Sequence, residues 1–142
     1  MKAKVMLPVI LSSVVLSSCA GDLHREGSAL DLKGNWRIED LDQRGIIDSS
    51  HLNITFDEKQ SISGSAGCNR FMGGYTFDGT SLSINKTATT RMACAPALME
   101  QEQRLLQTFA EVLRVEATED GALKLTGPSP HSLLLRKENA LH

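Results

Sequence analysis

Aromatic side chains are scarce in this chain of 142 residues: Phe, Tyr and Trp together make up 4%, with a single tryptophan, Trp36. So thin a supply excludes a stacking platform for bases or sugar rings and assigns Trp36 to the core. An excess of basic charge is missing too. The 15 Lys and Arg stand against 17 Asp and Glu, a net −2, and the pI is near 6.1. A phosphate-neutralising surface is therefore not expected, and nucleic acid is not an expected partner. Nor is there an apolar run long enough to span a bilayer. The stretch from 5 to 15 holds about 11 residues where a transmembrane helix needs about 20, and Pro8, Ser12 and Ser13 interrupt it.

Reactive motifs are equally sparse. No C-x-x-C or H-x-x-x-H occurs, and Cys68, Cys94, His51 and His131 are isolated in sequence, which argues against zinc or another metal. The Gly-rich run Gly64-Ser65-Ala66-Gly67 is not followed by Gly-Lys-Ser/Thr and so is no phosphate cradle. Its glycines, with Gly73 and Gly74, suit a bulge or a tight strand crossing. No G-x-S-x-G elbow presents a serine nucleophile. The carboxylate pairs Asp40 with Asp42 and Glu100 with Glu102 fall in charged runs that read as solvated faces rather than glycosidase chemistry. The chain reads as non-enzymatic and needs no cofactor.

What is present begins with an address. Lys2 and Lys4, the apolar stretch 5–15, and then Leu16-Ser17-Ser18-Cys19 resemble a bacterial lipoprotein signal, with residues 1–18 removed and Cys19 acylated. Several acyl chains on one residue exceed what stable anchoring requires. Ala20, rather than Asp, follows the cysteine, which by resemblance to enteric lipoproteins favours the outer membrane, with the protein facing the periplasm. Residues 19–31 are mostly small, polar or charged and read as a tether. A domain is expected over 32–138.

Within that domain the hydrophobic pattern has mostly period two. Trp36, Ile38 and Leu41 nearly alternate with charges, and Leu52, Ile54 and Phe56 alternate cleanly with polar residues. Asp78-Gly79 and Asp120-Gly121 read as the central pairs of two-residue hairpin turns, with positive φ at both positions. One segment departs from this rhythm. Pro96 opens an amphipathic helix with Leu98, Leu105, Leu106, Phe109 and Leu113 on its apolar face. Glu100 and Glu102 lie early in it and Arg104 and Arg114 late, to complement the helix dipole. The expected fold is α+β, a curved antiparallel sheet or cracked β-barrel covered by one amphipathic helix.

The residues 62–71, Ile-Ser-Gly-Ser-Ala-Gly-Cys-Asn-Arg-Phe, then Gly74-Tyr75, Asp78-Gly79, Leu82 and Thr89-Thr90-Arg91-Met92-Ala93-Cys94 resemble the signature of the META domain family, which includes HslJ-like heat-shock lipoproteins. The likeness extends upstream to Gly34-Asn35-Trp36-Arg37 and downstream through Glu102 and Leu106. It implies a small envelope domain linked to heat or other stress and to inhibitor resistance, with no established catalysis. It marks Gly64, Gly67, Asn69, Arg70, Tyr75, Arg91 and Met92 as motif residues without assigning them a role.

Independently of that likeness, once Cys19 is given to lipid two cysteines remain in an oxidising compartment, and an even remainder there predicts a Cys68–Cys94 disulfide. By loop closure it stabilises the fold by about 3.5 kcal/mol. The expected partners are the membrane, through the acylated N-terminus, and an envelope protein. The competing expectation is a carrier of a small apolar ligand or a lipid or peptide tail, like a secretion pilotin, or an enzyme using Arg70, Arg91 and Asn69 in an interior between sheet and helix.

Overall fold

The computed structural model describes residues 29–139. The expected signal segment and the acylation site Cys19 lie outside the described residues. Eight strands run β1 (Gly34–Leu41), β2 (Leu52–Phe56), β3 (Ser61–Ala66), β4 (Arg70–Phe77), β5 (Ser81–Thr89), β6 (Val112–Ala117), β7 (Leu123–Thr126) and β8 (Ser132–Lys137). A single helix, α1 (Pro96–Phe109), falls between β5 and β6. Every strand pairs antiparallel with the next, and β1 pairs with β8, so the sheet closes on itself as an up-and-down barrel. The expected α+β fold of antiparallel strands with one helix is observed, with the barrel closed rather than cracked. Sequence periodicity fixes which residues face inward, but it carries no information on whether the first and last strands meet.

Eight strands enclose an interior just wide enough for side chains to fill. Here Trp36, Ile38, Ile54, Phe56, Phe71, Leu82, Leu125 and Leu135 fill it, each essentially buried. Between Ile38 and Asp40 the register of β1 against β8 shifts by one residue. That bulge lets Ile38 and Leu41, three apart, both face inward, which explains the imperfect alternation in the sequence. Leu32 is buried as well, Leu30 packs on the same core, and the Trp36 indole N–H donates to the Leu32 carbonyl at 2.7 Å. The packed domain therefore starts two residues before the expected boundary at 32.

The hairpin turns differ in detail from expectation. Phe77 pairs with Leu82, and the Asp78 N–H donates to the Ser81 carbonyl, so Gly79 and Thr80 are central and only Gly79 has positive φ, 100°. The Asp78 carboxylate instead sits behind the turn, accepting from the Thr80 and Ser81 N–H groups. Ala117 pairs with Leu123 and the Thr118 N–H donates to the Ala122 carbonyl. Three residues then form that loop, and Gly121 alone takes positive φ, 81°. On the outer wall, Arg136 joins β8 to its surroundings through Glu39 at 3.0 Å and Asp120 at 2.9 Å.

The helix also departs from expectation. It stops at Phe109, and Leu113 and Arg114 belong to β6. No acidic residue lies in its first turn and no basic residue in its last, so the dipole argument does not apply to it. Rather than covering a sheet face, it closes one mouth of the barrel. Leu105 and Phe109 point into the core, where the Phe109 ring meets Phe71 edge-on at 5.1 Å. The N-terminal residues Leu30 and Leu32 pack beside Tyr75 and Phe77 at the opposite mouth.

Candidate functional site

The side of α1 that faces the barrel is half polar. Gln101, Glu102 and Thr108 are buried there beside Leu105 and Phe109. A buried polar group is costly unless bonded, and each of these three is bonded to the loops of the rim. Gln101 accepts from the Ile47 N–H at 2.8 Å and donates to the Ser50 hydroxyl at 3.0 Å, holding the β1–β2 loop. The Thr108 hydroxyl reaches Asp42 at 3.3 Å and the His131 ring nitrogen at 3.1 Å, while Asp42 accepts from the Ser132 N–H at 3.1 Å. That set ties the end of the helix to β1 and β8.

Glu102 makes the third attachment. Its carboxylate accepts from both the backbone N–H and the side-chain amide of Asn69, at 2.9 and 3.0 Å. Asn69 is 1% exposed, and the rest of its side-chain bonding capacity goes to Thr90 and Met92. Its carbonyl oxygen accepts from the Thr90 hydroxyl at 2.9 Å and the Met92 N–H at 2.7 Å, and its amide also donates to the Met92 carbonyl at 3.3 Å. One asparagine thus binds a hairpin turn, the segment leading to the helix, and the helix itself. The Cys68–Cys94 disulfide, with Cα atoms 6.1 Å apart, fastens the first two of these parts, the turn and the segment before the helix, covalently. The expected pairing is the one observed.

The local sequence explains how Asn69 comes to lie there. Gly67 and Cys68 form the two-residue turn between β3 and β4, closed by the Ala66 N–H donating to the Asn69 carbonyl at 2.8 Å. Gly67 has φ 101°, a conformation that suits glycine. Gly64 serves packing instead. A Cβ there would lie 2.0 Å from the Asn53 carbonyl oxygen and 2.7 Å from the Phe71 ring, so glycine admits the phenyl group over the strand.

Of the expected motif residues, Gly67, Cys68, Asn69, Arg70, Arg91, Met92 and Cys94 gather at this corner, with Gly64 one strand inward. Tyr75 does not join them. It is buried, donates its hydroxyl to the Asp57 carbonyl at 3.0 Å beside the opposite mouth, and meets Phe56 edge-on at 5.0 Å. Burial, with the nearby Asp57 and Asp31 charges, raises its phenol above the usual range. Glu102 and Asp42, expected on solvated faces, are both buried and hydrogen-bonded. The signal for Glu102 was in the sequence, because Leu98, Glu102, Leu105 and Phe109 recur at spacings of four, three and four along one stripe.

Outside the clasp lies a trough. One end is a hollow of about 750 Å³ along α1, lined by Pro96, Met99, Glu102 and Leu106 among others. It continues through a hollow of about 340 Å³ formed by Met92, Arg91, Met99 and Thr90. A third, also about 340 Å³, lies over the outer face of β4 and β5 against Arg70, Met72 and Thr90. Among the described residues no cluster of His, Cys, Asp and Glu could hold a metal ion, and no helix is long and apolar enough to cross a membrane.

The backbone resembles solved structures. A protein from Burkholderia xenovorans, determined by NMR, matches with TM-score 0.63 and 23% identity over 75% of this chain and 83% of its own. A second NMR structure matches with TM-score 0.60 and 30% identity, over 72% of this chain and 87% of its own. No curated protein matches. The META domain family model matches residues 28–140, which include the barrel, the clasp and the helix, and the chain belongs to the META domain family.

Proposed function

We propose that this META domain protein is a non-catalytic lipoprotein, acylated at Cys19 and held at the periplasmic face of the outer membrane, where it supports tolerance of heat or other envelope stress and of inhibitors by binding another component. The observation that carries the binding half of this reading is the use made of the buried polar side chains. Asn69, Gln101, Glu102, Thr108 and Asp42 are all engaged in fastening the lid to the rim. They serve a rigid display surface rather than a reacting centre. Among the described residues the buried side-chain nitrogens without a partner are Nε and Nη1 of Arg104.

The carrier alternative has less support, because the barrel interior it would need is occupied by close-packed core side chains. The anchoring half rests on residues 2–19 of the sequence. Labelled palmitate supplied to growing cells is expected to enter the wild-type chain, to be absent from Cys19→Ala, and to follow the outer membrane on a density gradient. Palmitate-free protein in the soluble periplasmic fraction would overturn the anchored reading. For the physiological half, deletion is expected to lower survival of heat or inhibitor challenge, with rescue by the wild-type chain. Unchanged survival would remove the stress role.

A further inference from the structure

Every methionine among the described residues, Met72, Met92 and Met99, is exposed, at 65%, 57% and 37%, and all three line the trough outside the clasp. They come from three different segments: β4, the disulfide loop and α1. The core, by contrast, uses none. Among the described residues only Val112 is comparably exposed elsewhere, so the exposed large apolar side chains gather on one face, as an interaction surface would have them. Methionine is the unbranched, polarisable side chain that adapts to apolar partners of varied shape.

Charge restricts what fits. Arg70 and Arg91 are exposed at the end of the trough that holds Met72 and Met92, and among the described residues neither forms an ion pair, whereas the trough's carboxylates, exposed Glu100 and the Asn69-bonded Glu102, line the hollow along α1. Two uncompensated guanidinium groups beside the methionines favour carboxylates on the partner, by fork-to-carboxylate bonding that lysine would not match. The clasp keeps the trough in shape, because Met92 is held through its own N–H and carbonyl by Asn69 while its side chain stays outside. We propose that the trough binds an extended polypeptide segment of another protein, one that sets apolar side chains against Met72, Met92 and Met99 and carboxylates against Arg70 and Arg91. The inference rests on the binding role proposed above and names its partner class.

The test uses two labelled twelve-residue peptides with the same alternating apolar residues, one carrying Asp and Glu at the intervening positions and the other Lys. They are titrated by fluorescence anisotropy against the full chain in zwitterionic detergent. The acidic peptide is expected to bind at least tenfold more tightly than the basic one. Arg70→Glu with Arg91→Glu is expected to invert that preference. Met72→Ser, Met92→Ser and Met99→Ser together are expected to weaken the acidic peptide by tenfold or more, with the far-ultraviolet circular dichroism and the disulfide unchanged.

Equal affinity for the two peptides, no binding of either at millimolar concentration, or binding indifferent to both sets of substitutions would overturn the proposal. So would flotation of Cys19→Ala protein with phosphatidylglycerol vesicles that the methionine substitutions abolish, because it would assign the face to lipid. Acylated protein that binds neither peptide refutes this inference and leaves the anchored lipoprotein standing. Peptide binding by a chain that takes up no palmitate has the opposite outcome.

Discussion

Asn69 has more structural consequence than any other polar residue of the domain, since its side chain and N–H together serve Glu102, Thr90 and Met92. Asn69→Ala leaves the Glu102 carboxylate with the backbone N–H of residue 69 as its one donor there, and it also strips the side-chain bonds to Thr90 and Met92, so several buried polar groups lose a partner. A loss of about 3 kcal/mol in urea unfolding is expected. Glu102→Gln, which retains an acceptor, is expected to lose less. Gly64→Ala acts by crowding. The added methyl group meets backbone on β2, which cannot rotate away, so destabilisation of about 3 kcal/mol is expected from the same measurement. Asp120 differs in being fully exposed. The Thr118 hydroxyl and then Arg136 hold its carboxyl down from 3.8 to about 2. A depressed carboxyl stabilises the fold above its unfolded value and ceases to do so as pH falls through the folded one. The urea midpoint is therefore expected to fall between about pH 4 and pH 2, and to fall less steeply in Asp120→Asn.

Among the elements, strands were the most legible in the sequence, because a half-buried strand imposes alternation that residues such as Leu52, Ile54 and Phe56 satisfy without ambiguity. The lid was legible only in part. Its existence and its start at Pro96 follow from local signals, whereas its end does not, because Leu113 continues the helical spacing by coincidence while pairing in β6. The stripe position of Glu102 hints at burial, but the partners stay hidden for a physical reason: Gln101, Glu102 and Thr108 meet residues from 23 to 66 positions away, and no single-segment pattern encodes such a distance. The cysteines were easier: with Cys19 assigned to lipid, the even remainder of two leaves one pairing, Cys68 with Cys94. The disulfide spans 26 residues that include β4, β5 and the loop before α1. Reduction, or Cys68→Ser with Cys94→Ser, is expected to lower stability by about 3.5 kcal/mol. The Asn69 bonds should keep the reduced domain folded, and comparing urea midpoints with and without reductant checks both points.

At the scale of the whole molecule, lid and barrel share one core, since Leu105 and Phe109 from α1 are as buried as the strand residues they touch. They are expected to unfold together. Trp36, the single tryptophan, lies at the mouth opposite the lid, and the helix dominates the circular dichroism at 222 nm as a rough rule, so the two signals report opposite ends. Coincident transitions by fluorescence and dichroism are expected, and earlier loss of the dichroism would show that the lid melts on its own.

The seam between β1 and β8 also bears on how the domain is made. Seven strands can form ordinary hairpins as they emerge, but the cylinder cannot shut until its last strand arrives to zip against its first, about a hundred positions away. Until the ribosome has released nearly all of the polypeptide, β1 lacks one of its two neighbours. For the exported lipoprotein proposed above, such late closure would keep the chain open while it crosses the membrane and defer the finished cylinder to the far side.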